Sequence, residues 1–227
     1  DNGYIFENSD DKNILKISKE IKNKISFGFS NKNVDFFGLI KYKNNKIHFY
    51  INDKEIFNSK LNLIMAKNML VAYSVASTYG IDHQTIINAL QKFNFISGRG
   101  NQIIRNGILM IDDTYNASLE SFIIGIDSFF ELNSKRNKIL VIGDMKELGS
   151  KNDEYHYKLG KYINKKLPNL VLGVGESIKK TISKISNTKI YVKHFETKIL
   201  LLNKLKNTVK KGDAIYFKAS RSMNFEK

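Results

Sequence analysis

Apolar residues along this chain fall into two rhythms, and the second is the more regular. From position 108 onward, strands are predicted at Ile108–Ile111, Lys138–Ile142, Leu170–Val174, Lys189–Val192 and Ala214–Phe217. Helices are predicted between them at about Ser118–Phe130, Asp153–Leu167, Glu176–Ile185 and Thr197–Val209. An unbroken apolar run such as Ile108-Leu109-Met110-Ile111 suits a strand covered on both faces. Strict alternation of strand and helix implies a parallel sheet with right-handed crossovers. Four of these strands lead into polar or glycine-bearing loops: Asp112-Asp113, Gly143-Asp144, Gly173-Val174-Gly175 and Lys218-Ala219-Ser220-Arg221. In an open α/β sheet such loops gather along the carboxyl edge, where ligands bind. Ser118 is placed to cap the helix after the first loop, and Leu119, Phe122, Ile123, Ile126 and Phe130 recur on one face of that helix.

The front section is mixed. Gly3 to Phe6 reads as a short strand, and Asn8-Ser9-Asp10-Asp11 as an acidic turn capping a helix through Ile14, Ile17 and Ile21. Ile25 to Phe29 alternates like a strand, and Val34–Lys41 and Lys46–Ile51 flank Asn44-Asn45 as an antiparallel hairpin. From Leu61 the pattern turns helical, with Leu63, Ala66, Leu70, Tyr73 and Ala76 on one face and Gly80 placed to stop it. Asp82 then caps a second helix carrying Ile86, Ile87, Leu90 and Phe93. Ile96-Ser97-Gly98-Arg99-Gly100 puts two glycines around an arginine, and the domain boundary is expected there, dividing residues 1–97 from 98–227. The abrupt start on a strand leads us to expect further chain before it.

Composition narrows the class. The 227 residues fill one large domain or two modest ones. There are no cysteines, which fits a reducing cytoplasm. No apolar run approaches the roughly 20 residues that cross a bilayer. The formal net charge of +15 invites a nucleic-acid reading. Yet the only arginines among the 37 basic residues are Arg99, Arg105, Arg136 and Arg221, and phosphate and base readout favours clustered arginine forks. A solvated lysine-rich surface is the expectation, with no nucleic acid as partner. Arg99 and Arg221, which fall inside motif-like surroundings, become the informative cations.

Other chemistry is thin. Gly173-Val174-Gly175 lacks the third glycine of a dinucleotide fingerprint, because Ile178 stands there, so it reads as a tight turn. No G-x-x-x-x-G-K-[ST] loop occurs. His48, His83, His156 and His194 have no zinc spacing, and no metal ligand is expected.

Three of the loops resemble a known family. Asp112-Asp113-Thr114-Tyr115-Asn116-Ala117, Gly143-Asp144-Met145-Lys146-Glu147-Leu148-Gly149 and Lys218-Ala219-Ser220-Arg221 look like motifs of the Mur ligases, the ATP-dependent amide-forming enzymes of peptidoglycan precursor synthesis. They are most similar to the branch that adds D-Ala-D-Ala. Upstream, Asn8 to Asp11, Asn68 and the pair Gly98-Arg99 resemble further motifs in the same order. Departures are Ile64 and Met65 where the family's helix carries His and Asn, Ser118-Leu119 for Asn-Pro, and Ala219 for glycine.

The resemblance implies an α/β fold, with a Rossmann-like carboxy-terminal domain preceded by the rear part of a central ATP-binding domain that carries a β ribbon and two helices. It implies ATP and Mg2+ as cofactors, with the phosphate loop and the magnesium ligands in a front half not found here. The substrates it implies are a UDP-MurNAc-peptide and D-Ala-D-Ala, joined through an acyl phosphate in the cytoplasm. Asn68, Arg99 and Asp113 would bind ATP, with Asp113 accepting from the ribose hydroxyls. Tyr115, Asn116, Asp144, Glu147, Lys218, Ser220 and Arg221 would line the acceptor side. Such a fragment holds no complete catalytic set and is expected to be inactive alone, its partner being the missing front half. Three alternatives stay open: another amide-forming Mur-type ligase, a non-enzymatic basic nucleic-acid-binding protein, whose DNA affinity would fall steeply with salt, and a nicotinamide-dependent oxidoreductase.

Overall fold

The computed structural model describes residues 3–43, 46–56, 63–93, 96–132 and 136–225. The chain divides into two compact units, Asp1–Asn94 and Phe95–Lys227.

The first unit is built on one five-stranded sheet, in the order β1-β2-β3-β4-β5. Its strands are β1 (Ile5–Asn8), β2 (Lys24–Gly28), β3 (Phe36–Lys43), β4 (Lys46–Ile51) and β5 (Lys54–Ile56). β1, β2 and β3 run parallel, whereas β3, β4 and β5 form the antiparallel ribbon that the alternating residues announce. The turn expected at Asn44-Asn45 lies outside the described residues, as does a helix start at Leu61. Helix α1 (Lys12–Ile17) is capped by Asp11, whose carboxylate accepts from the backbone N–H groups of Asn13 and Ile14. It stops short of Ile21. Helices α2 (Leu63–Thr78) and α3 (His83–Lys92) follow, the second capped by Asp82 through the N–H of Thr85. Ala66, Leu70 and Tyr73 of α2 are buried with Phe49, Ile51 and Ile56 of the sheet. Gly80 takes a φ of 82° just past the end of α2, the left-handed conformation that glycine adopts without a Cβ penalty.

The second unit holds a six-stranded sheet in the order β10-β9-β8-β11-β7-β6. Its strands are β6 (Asn101–Arg105), β7 (Ile108–Asp112), β8 (Lys138–Gly143), β9 (Leu170–Val174), β10 (Tyr191–Phe195) and β11 (Ala214–Lys218). All neighbours are parallel except β6, an antiparallel edge strand. Helices α4 (Leu119–Glu131), α5 (Asn152–Lys166), α6 (Ile178–Ile182) and α7 (Lys198–Thr208) make the connections. Strand residues alternate between the two faces. Leu140 and Ile142 join the cluster formed with Phe122 and Ile126 of α4 and Leu159 and Ile163 of α5. Ile139 and Val141 join Leu201 and Leu205 of α7 on the other side. A fully buried Phe or Leu contributes roughly 1.5–3 kcal/mol, so this two-sided core accounts for the long apolar runs. The chain returns from β10 to insert β11 between β7 and β8. That placement makes the loops after β7, β11 and β8 neighbours at the carboxyl edge.

Three expectations need correction. β10 begins two residues later than predicted, since Asn187 to Ile190 form a turn. α6 is confined to Ile178–Ile182: Gly175, at a φ of 124°, still belongs to the turn after β9, and Lys184 and Ile185 close turns, their N–H groups donating to the carbonyls of Thr181 and Ile182. The strands β5 and β6 were not predicted.

A buried lysine closes α4. Lys138 Nζ donates to the carbonyl oxygens of Phe129 (2.9 Å) and Leu132, satisfying groups a helix end leaves unpaired. Burial above all, with Arg136 adding to it and Glu131 opposing, lowers this ammonium to about 8. The unfolded value is about 10.4, so between these pH values the unfolded chain holds more protons than the folded one. The lysine's contribution to stability must therefore rise with pH across that window and stay flat below it. Urea unfolding of wild type and Lys138→Met from pH 7 to 10.5 should give a stability difference that shifts toward wild type above pH 8; a constant difference would contradict it.

Candidate functional site

The loop after β7 is where the chemistry concentrates. Ser118 and Ser121 form a reciprocal cap at the start of α4, worth about 1 kcal/mol for the hydroxyl at the cap position. The cap fixes how the chain leaves residues 113–117. Asp112 Oδ1 accepts from the Thr114 hydroxyl at 2.6 Å and from its N–H, which tightens the turn. Asp113 is only 5% exposed. Its Oδ2 accepts from the Tyr216 hydroxyl at 2.6 Å and from Lys218 Nζ at 2.7 Å. Among the described residues its Oδ1 makes no hydrogen bond, and no buried side-chain oxygen lacks a partner. Oδ1 therefore reaches the surface.

Lys218 was expected to face the acceptor side. Instead it is 2% exposed, with its Nζ shared among Asp113 Oδ2, the Asn116 carbonyl at 3.1 Å and the Asp113 carbonyl at 3.4 Å. The Phe122 ring lies 5.6 Å from the ammonium. It is the last residue of β11, where the pleat turns it toward α4. Burial raises the Asp113 carboxyl and lowers the Lys218 ammonium, each partly offset by the other's charge. At 2.7 Å in such a setting the two form a charge-assisted pair that ties the β7 loop to β11.

Asp144 and Ser220 also turn inward. Asp144, 1% exposed, accepts from the Ile178 N–H at 2.8 Å and from Lys146 Nζ at 2.7 Å, and its carbonyl accepts from the Ser220 N–H. Ser220 Oγ accepts from the Lys146 N–H at 2.8 Å. These residues stitch the loops after β8, β9 and β11 together rather than presenting free groups. A Cβ on Gly175 would lie 2.4 Å from Asp144 Oδ1, so the Gly173-Val174-Gly175 stretch is a turn packed on Asp144. His156, fully buried on α5, accepts the Met145 N–H at Nε2 and meets the Thr181 hydroxyl at Nδ1 (2.9 Å). Burial lowers its pKa, against the Met145 contact and Asp144. It is a packing residue that steadies the Gly143 loop.

What faces outward is a stack of two arginines on one tyrosine. The Arg99 guanidinium lies 3.9 Å from the Tyr115 ring centroid and that of Arg221 at 5.6 Å, both within cation–π range. Gly98 makes the approach possible: its carbonyl accepts from the Tyr115 N–H at 2.9 Å, its φ is 78°, and a Cβ would meet Tyr115 N at 2.9 Å. Asn116, next to Tyr115 in sequence, and Glu147, in the loop after β8, are exposed, Glu147 with a φ of 61°. Asn68 is exposed on α2 of the first unit. Among the described residues no three His, Cys, Asp or Glu side chains gather where they could hold a metal ion, and no helix is long and apolar enough to cross a membrane. Tyr216 and Gly125, which the sequence reading passed over, belong to the site.

Fold and site define an α/β domain that gathers its polar groups at the carboxyl edge of a mostly parallel sheet. The sequence profile described as Mur ligase, glutamate ligase domain, matches residues 98–221, more than half of the chain, which therefore belongs to the Mur ligase family. A relative from Buchnera aphidicola subsp. Acyrthosiphon pisum, named UDP-N-acetylmuramoyl-tripeptide--D-alanyl-D-alanine ligase, is 30% identical over all of this chain and 51% of its own length. The Bacillus subtilis ligase of the same name is 31% identical over 70% of this chain and 35% of its own. The crystal structure of the MurF ligase from Thermotoga maritima in complex with ADP superposes with a TM-score of 0.79 at 26% identity, covering 99% of this chain and 52% of that one. The chain thus spans at most about half the length of these relatives.

Proposed function

We propose that the chain is the nucleotide-side and acceptor-side part of an ATP-dependent ligase that adds D-Ala-D-Ala to a UDP-MurNAc-tripeptide. The reading takes residues 1–97 as the rear half of a central ATP-binding domain and 98–227 as the carboxy-terminal domain; a family match that begins at residue 98 supports the second part, and relatives aligned over all or nearly all of the chain support the first. It is placed in the cytoplasm, where nucleotide-linked precursors and ATP meet.

The observation that carries it is Asp113 just past the end of β7, held through Oδ2 and leaving Oδ1 as its remaining acceptor, in the same loop as Tyr115, on whose ring Arg99 and Arg221 lie. A carboxylate oxygen at a strand end suits ribose hydroxyls, which donate. A planar guanidinium is suited to a base or a planar anion by its shape and charge. With ATP bound, its phosphates would supply the activating group for the peptide carboxylate. This chain's own groups then orient the two reactants, which in such a transfer is a large share of the barrier. Arg221 is assigned to the terminal carboxylate of the incoming dipeptide, a planar match for two parallel hydrogen bonds; Arg99 is assigned to the nucleotide, as is, separately, Asn68 of the first unit. Tyr115, Asn116 and Glu147 line the acceptor side directly, whereas Lys218, Asp144 and Ser220 act by holding the loops.

The test is calorimetry with AMP. The chain should bind AMP weakly, and Arg99→Ala should weaken it about tenfold, or about 1.4 kcal/mol. Equal AMP binding by wild type and an Asn68→Ala/Asp113→Asn double variant would remove the nucleotide assignment.

A further inference from the structure

Gly125 sits in the interior of α4, where glycine costs about 1 kcal/mol relative to alanine. A Cβ on it would lie 1.9 Å from the Tyr216 hydroxyl oxygen, 2.8 Å from Cζ and 3.1 Å from Asp113 Oδ2. Even a methyl group is therefore incompatible with the Tyr216–Asp113 hydrogen bond. Tyr216 itself is buried, its ring stacked on Phe129 with centroids 5.6 Å apart, so nothing that binds at the surface can touch it. Its hydroxyl is also the polar atom that a Phe in the same apolar run would omit without loss of packing. A buried hydroxyl with a helix glycine cleared for it and a carboxylate as its acceptor points to a task beyond filling the core.

We propose that Tyr216, given room by Gly125, is a positioning residue: with Lys218 it holds Oδ2 of Asp113 and so fixes Oδ1 as an outward acceptor for a vicinal diol, the ribose of a nucleotide. This rests on the nucleotide-binding reading above and extends it to residues behind the surface. Two donors on one oxygen leave the carboxylate a single orientation. A carboxylate free to rotate would lose orientational entropy on engaging both ribose hydroxyls, and one already held does not.

The experiment has two readouts on the 227-residue chain. The first is the carboxyl titration of Asp113 by carbon-13 NMR, assigned through Asp113→Asn. The Tyr216 hydroxyl favours the ionised carboxylate, so Tyr216→Phe and Gly125→Ala should both raise the midpoint. Phe129→Leu, which loosens packing around the ring and keeps the hydroxyl, should lower stability and leave the midpoint in place. The second readout is calorimetry with AMP against 2′-deoxy-AMP and 3′-deoxy-AMP. Wild type should prefer AMP about tenfold, the scale of one hydrogen bond to a charged group, and Tyr216→Phe should largely lose that preference. An unmoved midpoint in Tyr216→Phe overturns the clamp, and a moved midpoint with ribose preference intact overturns the positioning role. A wild type that binds all three nucleotides equally overturns the ribose reading, while the titration still reports separately whether the clamp exists. Tyr216→Phe preserves shape, so the test stands if Gly125→Ala fails to fold.

Discussion

A Lys218→Met chain is expected to lose about 3–5 kcal/mol of stability, the cost of stripping one partner from a buried ion pair. Methionine fills much of the space, so the loss is electrostatic. Asp113 keeps its burial and its Tyr216 contact, but its carboxylate no longer has a countercharge at 2.7 Å. The Asn116 carbonyl also loses its donor. Because domains are stable by only about 5–15 kcal/mol, this removes a substantial share of the folding margin at neutral pH. Burial already raises Asp113, and Lys218 is the largest opposing influence. Removing it raises the carboxyl further, so the deficit should shrink as pH falls and Asp113 takes up its proton in the folded state. Asp113→Asn/Lys218→Met should lose clearly less than the sum of the single variants. Urea unfolding near pH 7 and pH 5 checks this. A loss below 1 kcal/mol, or one independent of pH, would mean that the pair is not a buried charge pair.

The 227-residue chain is expected to hydrolyse no ATP above the uncatalysed rate. Phosphoryl transfer is catalysed by gripping the β- and γ-phosphates and neutralising charge as it develops. The sequence has no G-x-x-x-x-G-K-[ST] loop for that grip, and the outward groups described above suit a ribose, a base and a carboxylate. Supplying a phosphate-binding half should restore turnover by many orders of magnitude. Magnesium-dependent ADP release by the pure chain, abolished by Asp113→Asn, would show that it holds a phosphate site of its own.

The sequence made β7, β8, β9 and β11 legible because they are covered on both faces and must be apolar throughout. It hid β6, an edge strand whose Ile103 and Ile104 are largely exposed, so that no face marks it out. β5 has only three residues, too few for a period. Among the site residues, Arg99 and Arg221 stood out because arginine is rare here, and the structure stacks both on Tyr115. Lys218 carried no such signal. In a chain this rich in lysine, one more at a strand end reads as solvated, and its burial follows only from the register that turns it toward Asp113 and Phe122. Tyr216 lies in an apolar run and reads as core, and Gly125 reads as a tolerated helix glycine. Their relation spans 91 residues of sequence and emerges only when α4 packs on β11.

Acceptor-dependent phosphate release from ATP tests the ligase assignment most directly. The part of the Buchnera ligase that its match to this chain leaves uncovered would be joined to these 227 residues. Phosphate release by the fusion should require UDP-MurNAc-tripeptide and D-Ala-D-Ala together. Arg221→Lys should raise the KM for the dipeptide by roughly tenfold, about 1.4 kcal/mol, with the KM for ATP unchanged. Turnover supported by a single amino acid in place of the dipeptide, or dipeptide kinetics unaltered by Arg221→Lys, would contradict the assignment.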